Sequence, residues 1–490
     1  MKRLTSIIPF ILIAGIMFSG CKKSTDTPPV VTTTASVTNS FVWNSMHDYY
    51  LWTADVPALS NPSYATASNL DAFLNTYSDP NKLFTGLLFR SDTIDKWSFI
   101  EDNSKTITDW IAGISQTQGF DFMLGRIASS DTLFGFVRYI YKGSPAEKAG
   151  MKRGDIFVKV NDTKLTVSNY QTLLFTNLTY TLSFATIVNH TITPNTRTVT
   201  MTAINMQENP ILMDTVFTFI NQKIGYLVYN GFNADFDFQL NDVIQKFKDA
   251  NIGQMVLDLR YNGGGSVQTS TYLASMIYGT DNTKLFAKAQ YNQAYQAAII
   301  SQYGSSALDD NFTNTIDATS TTQPTPINTI NLKKIYFIVS DNTASASELL
   351  INGLRPYMNV KVVGINTTGK YVGSITLTDA ANPSDPWAMQ PIVVKFANSL
   401  GVTDFVNGLT PDIIAEEDIA NLLPFGDPNE ALLKVVLTDI QGTPVTAMTL
   451  KSAQMGLKKV FDSRSLRRHG KDMYINPDKF KGLKIAHLIK

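Results

Sequence analysis

Ser345 and Lys370 are the two residues whose types and context could do chemistry. Ser345 sits in Thr343-Ala344-Ser345-Ala346-Ser347-Glu348, and Lys370 ends Gly364-Ile365-Asn366-Thr367-Thr368-Gly369-Lys370. The chain has four histidines, His47, His190, His469 and His487, and none lies near an activated-looking serine. A hydrolytic serine here needs another base, and a desolvated lysine can serve. A free lysine has a pKa of about 10.4, so a base working near neutrality needs it lowered to roughly 7–8 by burial.

The local context of Ser345 supports two readings. Ser345-Ala346-Ser347-Glu348 has the form of a capping box, in which the serine simply starts a helix. A serine at a helix N-terminus after a buried strand is also well placed as a nucleophile. Its hydroxyl is then exposed at the strand end, with the first helical N–H groups facing a developing oxyanion. Asp258-Leu259-Arg260-Tyr261-Asn262-Gly263-Gly264-Gly265 is a strand running into glycines. Without Cβ atoms, such a loop lets a ligand approach the backbone closely, though alone it reads equally as a tight turn. The stretch ending at Lys370 matches a phosphate loop only up to that residue. Tyr371 follows where a magnesium-binding Ser or Thr belongs, and residues 372–377 read as turn and strand rather than helix. Nucleotide binding is set aside. With four histidines and the single Cys21, zinc-ligand spacing is absent, and no metal or cofactor is expected.

These segments need an α/β frame. Across 207–440, the runs 224–229, 255–259, 335–339 and 360–365 are apolar and β-branched, and 238–250 and 346–358 read as helices between them. Residues 301–329 are polar and read as a long surface loop or a lid. Residues 111–206 read as short strands and turns. Within them, 134–161 runs from an alternating strand through a Ser-Pro-Ala helix start and Arg153-Gly154-Asp155 into a second strand. Residues 37–110 are helical and aromatic, with Phe41, Val42, Met46, Tyr49, Tyr50 and Trp52 at core-facing spacing.

The ends carry their own signals. Lys2 and Arg3 precede an apolar run over 7–18, then Ser19, Gly20 and Cys21, so 1–20 reads as a secretory signal too short to span a membrane. A lone cysteine directly after that core resembles a lipobox. Lipidation on Cys21, with the Thr- and Pro-rich 21–36 as tether, places the body at a membrane facing the periplasm or cell surface. The alternative is an ordinary signal with an incidental cysteine. Residues 441–490 form a basic tail, read as a solvated end or as a segment docking on the acidic body, anionic lipid or cell wall. The chain as a whole has 490 residues and zero formal net charge, with no general argument for nucleic-acid binding.

Together the ordered blocks resemble the carboxy-terminal processing peptidases, or tail-specific proteases: the PDZ-like 134–161, Ile224-Gly225-Tyr226-Leu227, the Asp258 to Gly265 block, the Ser345 block, and Gly408-Leu409-Thr410-Pro411-Asp412. The resemblance implies a multidomain α/β architecture: a crotonase/ClpP-like α/β protease core, a PDZ-like β-rich domain and an N-terminal helical region. It implies a serine endopeptidase with Ser345 as nucleophile and Lys370 as base. Gly263, Gly264 and Ala346 would form the oxyanion hole, with Glu348, Arg260 and Asn262 in support. Gly119, Phe120 and Phe122 would take a substrate's free apolar C-terminus by strand addition. Many relatives carry a glutamine four residues after the lysine, where this chain has Ser374. The competing readings are a non-catalytic ligand- or peptide-binding protein on the same fold and an adaptor associated with peptidoglycan.

Overall fold

The computed structural model describes residues 35–319, 322–445, 450–466, 470–480 and 482–483. Cys21, the leader and most of the tether lie outside the described residues. No helix among the described residues is long and apolar enough to cross a membrane.

The core is built on one six-stranded sheet. Gln222–Tyr229, Gln254–Asp258, Lys334–Val339, Asn359–Gly364 and Ile413–Ile414 run parallel in that order, and Ile211–Phe219 closes one edge antiparallel. The first four lie within two residues of the apolar runs that predict them. Both faces are covered, which is why those runs are near-continuous rather than alternating. Leu227, Leu257 and Phe337 pack under the helices Asp237–Asp249, Val267–Tyr278 and Ala346–Leu354, while Tyr226, Val256 and Tyr336 face the helix Ala431–Ile440.

Three adjacent strands of this sheet, Gln254–Asp258, Lys334–Val339 and Asn359–Gly364, lead at their carboxyl ends into the glycine loop, the Ser345 turn and the Lys370 turn. In an open parallel sheet that edge is where ligands bind. The expected helix over 346–358 stops at Leu354, because the chain must turn before entering the strand Asn359–Gly364.

The β-rich region has the sheet order Leu457–Asp462, Phe120–Ile127, Phe134–Ile140, Ile156–Val160, Thr179–Val188, Thr191–Thr202. Ser144 caps the short helix Pro145–Lys148 by accepting the Glu147 N–H at 3.1 Å, as Ser-Pro-Ala predicts. Arg153 joins this region to the core. Its guanidinium donates to Glu417 (2.6 Å), to the Leu423 carbonyl (2.8 Å) and to the Tyr261 hydroxyl (3.0 Å). Of the residues with core-facing spacing, Val42, Met46 and Tyr50 are buried and Phe41, Tyr49 and Trp52 half-buried, while the helix Val37–Tyr49 also buries Trp43, which that spacing does not pick out. The Asn292 amide ties this region to the core through the Asp48 and Tyr50 carbonyls.

Two expectations are corrected. Residues 301–329 are not simply a polar surface loop: Leu308, Phe312, Ile316 and Ile327 are buried among the core residues and anchor it. The basic tail is not a solvated end over its described residues. Leu457–Asp462 joins the β-rich sheet. Met473–Tyr474 enters a second six-stranded sheet between Gly265–Ser266 and Val372–Ser374, with Met473, Ile475 and Phe480 buried in the core. Lys458 and Lys459 stay in water, so charge and burial are reconciled residue by residue.

Candidate active site

The turn before Ser345 is stapled to the glycine loop. Thr343 Oγ1 donates to the Leu259 carbonyl at 2.7 Å, and the Ala344 N–H and Ser347 hydroxyl both donate to the Asn262 carbonyl, at 3.1 and 3.2 Å. The Asn262 side chain works from the other side. Its amide donates to the Tyr229 carbonyl and its oxygen accepts the Gly264 N–H, each at 2.9 Å. Asn262 therefore braces the glycine loop from both ends of its amide. Arg260 does not face the serine: its guanidinium, 1% exposed, is committed to Asp258, Glu417 and Glu430.

Ser345 itself has φ +67° and ψ −118°, a conformation that costs a non-glycine residue on the order of 1–3 kcal/mol. Nothing in the local sequence marks that strain. The hydroxyl, expected to be exposed, is fully buried and has no hydrogen-bond partner among the described residues. The residues that bury it are close: a methyl placed on Gly264 would lie 2.6 Å from Ser345 Cβ, 3.0 Å from the Ala346 nitrogen and 2.4 Å from the Asp472 carbonyl oxygen. Gly264, at φ +110°, thus separates the serine from the tail by the width of a missing side chain. Gly263 packs in the same way on the Gly470 carbonyl. The oxyanion expectation needs one correction. The Gly264 N–H is spent on Asn262, which holds the loop closed, and the Gly265 N–H donates to the Asp472 carbonyl at 2.7 Å.

Glu348 links the two predicted residues. One carboxylate oxygen accepts the backbone N–H groups of Ser345 (2.7 Å) and Lys370 (2.9 Å). The other accepts the Gly369 N–H (2.7 Å) and the Thr367 hydroxyl (2.5 Å). Burial raises the Glu348 pKa, and these donors pull it back. The backbone half of the capping box is thus present, and the same carboxylate fixes the Lys370 turn.

The Lys370 ammonium is buried and pairs with the Asp472 carboxylate; its nitrogen also lies 5.0 Å from the centre of the Trp97 ring. The structure brings Ser345 and Lys370 to one site but forms no hydrogen bond between them. Burial lowers the Lys370 pKa below the usual lysine value, and the charge and hydrogen bond of Asp472 push it back up. Ser374 does not touch the ammonium. Its hydroxyl donates to the Met473 carbonyl (3.0 Å), with a carboxylate oxygen of Asp472, the partner of Lys370, at 3.3 Å. Asp472 and Trp97 escaped the sequence reading. One sits in a basic tail and the other in a helical region, and neither belongs to a motif.

A cavity of about 610 Å³ runs from Phe120, Phe122 and Phe175 to the glycine loop and Asp472. A second, of about 570 Å³, lies between Trp97, Asn342, Lys370 and Phe461. Among the described residues no group of His, Cys, Asp and Glu could hold a metal ion.

Comparison with known proteins agrees with this arrangement. Residues 223–415 match the model of Peptidase family S41, residues 38–99 the Peptidase S41 N-terminal domain and residues 136–175 a PDZ domain. A chloroplastic C-terminal processing peptidase of Tetradesmus obliquus is 24% identical over 291 residues, 56% of each chain. The carboxy-terminal processing protease CtpA of Bacillus subtilis is 23% identical over 297 residues, 59% of this chain and 55% of that one. The matches thus span about half the length of these curated relatives. A crystal structure of a candidate S41 protease from Bacteroides fragilis superposes with a TM-score of 0.65 at 25% identity, covering 82% of this chain and 97% of that one.

Proposed function

Because the chain belongs to peptidase family S41 and carries a PDZ domain, we propose that it is a serine endopeptidase that cuts polypeptides near their C-termini, with Ser345 as nucleophile and Lys370 as base. The observation that carries this reading is the joint fixing of both residues by Glu348 beside the glycine loop, with burial holding the lysine pKa down. Neutral Lys370 takes the Ser345 proton as Oγ adds to the peptide carbonyl. The C–N bond breaks and the amine leaves with that proton. Water then adds to the acyl-serine, its proton passing through Lys370 to Ser345 Oγ as the C–Oγ bond breaks, and the new carboxyl group is released. N–H groups at Gly263 and Ala346 are the candidates to hold the oxyanion, a contribution of about 10²–10³ in rate per donor. The test is cleavage of a permanently unfolded protein with an apolar, free C-terminus. The parent should cut it, while folded Ser345→Ala and Lys370→Ala chains should not. Cleavage by Ser345→Ala at the parental rate would end the reading.

The leader supports a location as well. Lys2, Arg3, the apolar 7–18 and Cys21 fit a lipoprotein held at the cell envelope. Incorporation of labelled palmitate that Cys21→Ala abolishes is the expected result; a parent that stays unlabelled and fractionates away from membranes would refute it.

A further inference from the structure

The strand Phe120–Ile127, whose start at Gly119, Phe120 and Phe122 is expected to take a peptide, is already paired along its free edge over Met123–Ile127. Leu457–Asp462 lies antiparallel to it, with Leu457 opposite Ile127 and Asp462 opposite Met123. Phe461 places its ring 5.2 Å from Tyr170, 5.7 Å from Phe175 and 6.5 Å from Phe122, in the slot between that strand and the helix Tyr170–Phe175. The next residue, Asp462, has its carboxylate clasped by both terminal nitrogens of Arg138, and the Phe122 N–H donates to Ser463 Oγ at 3.0 Å. Main-chain pairing, a pocket for one side chain and a cation for a carboxylate are the components of peptide recognition by strand addition.

Two features show that the groove is shaped for this occupant. Arg138 is 3% exposed, and its Nε is held by Asp121 at 2.5 Å. Among the described residues the terminal nitrogens of its planar fork are paired by Asp462, and a guanidinium left half-paired in such a place is costly. Gly125 is the second feature. A methyl there would lie 3.1 Å from Leu457 Cδ1 and 3.3 Å from the Lys458 carbonyl oxygen, so a larger residue would press against the added strand.

We infer that residues 457–463 are an intramolecular ligand of this chain's own PDZ groove, and that the groove takes from outside a strand bearing an aromatic residue followed by a carboxylate. The aromatic side chain fills the Phe122–Tyr170–Phe175 slot, and the carboxylate, side-chain or terminal, engages Arg138. The occupancy rests on geometry alone. That an outside ligand is also a substrate rests on the peptidase reading. The same tail supplies Asp472 to Lys370, so an incoming strand that lifts 457–463 loosens the segment holding the lysine.

The test uses the full chain and a fluorescent peptide of residues 457–464. A tethered ligand competes at an effective concentration on the order of mM. The parent should therefore bind the peptide about 10²-fold more weakly than a chain carrying Phe461→Ala and Asp462→Ala. With the emptied chain, peptides bearing Phe→Ala or Asp→Asn at the matching positions should bind at least about tenfold more weakly. Equal binding by parent and emptied chain, or indifference to both peptide changes, overturns the inference. Should the double variant fail to fold, hydrogen exchange of the parent decides. Amides of 457–462 must be protected and must lose that protection when a large excess of the peptide is added; amides that exchange freely without peptide overturn it. Labelling of Ser345 by a fluorophosphonate is read separately. Specific peptide binding with no labelling in any chain would strike the peptidase reading and leave the groove assignment standing.

Discussion

Lys370 and Asp472, 102 residues apart in the chain, meet as an ion pair whose side chains are 1% and 2% exposed. A base must be neutral to act, and a buried carboxylate at its ammonium favours the charged form. If Lys370 is the base, as proposed, the pair opposes what burial of the lysine promotes.

This relationship sets the pH profile. The folded pKa of Lys370 is lowered by burial, so activity should rise with pH and level off below the ordinary lysine range. Asp472 acts in the opposite direction, so Asp472→Asn should move the rise to lower pH and increase the rate at neutrality. A rate profile over pH for the two chains checks this. A folded Asp472→Asn chain that is slower at every pH would instead make Asp472 a positioning residue of the working site.

Backbone strain at Ser345 can be separated from its hydroxyl. Ser345→Ala removes the hydroxyl but keeps a Cβ at φ +67°. Ser345→Gly removes both. Relief of the strain outweighs the loop entropy of a glycine, so the Gly chain should be more stable than the Ala chain by about 1 kcal/mol. Paired denaturant titrations give the difference, with cleavage absent from both; a Gly chain that is the weaker of the two would show that Ser345 is not strained.

Glu348 accepts three backbone N–H groups and one hydroxyl in a buried setting. Glu348→Ala strands all four donors at about 1–3 kcal/mol each, so it should cost several kcal/mol and lower the melting temperature far more than Ser345→Ala. Glu348→Gln keeps the shape but turns half of the acceptor into a donor, and should fall between them. Thermal melts of the three chains rank them.

The contact between the PDZ region and the core should weaken in acid. Burial alone would raise the Glu417 pKa, but Arg153, Arg260 and the Tyr261 hydroxyl overcome it and hold it at about 2, against an ordinary value of 4.5. A carboxylate with a depressed folded pKa stabilises the fold fully above its unfolded value and loses that contribution as pH falls toward the folded one. The stability of the parent should therefore decline between pH 4.5 and 2, and Glu417→Gln should flatten that decline while costing stability at pH 7. Removing one partner of such a pair costs on the order of 3–5 kcal/mol. Melting curves across that pH window decide it.

Much of this molecule was legible in the chain itself. Apolar, β-branched runs marked the central strands because a sheet buried on both faces tolerates little else. The order of the strand, the glycine run, the Thr-Ala-Ser block and the Gly-Lys turn marked the site, because each follows a parallel strand and local turns depend on local residues. The Ser-Pro-Ala helix start and Arg153-Gly154-Asp155 marked the β-rich region for the same reason.

What only the tertiary structure decided is which distant groups meet those residues. Asp472 lies in a tail whose composition reads as solvated, and its role appears only when Met473–Tyr474 inserts beside Val372–Ser374. Trp97 reaches Lys370 because the N-terminal helices pack on the core. Phe461 and Asp462 fill a groove whose walls are separated from them by hundreds of positions. Spacing along a chain encodes hydrogen bonds within a turn; it carries no record of which charge or ring is brought across by packing, because burial and pairing energies depend on distance in space alone.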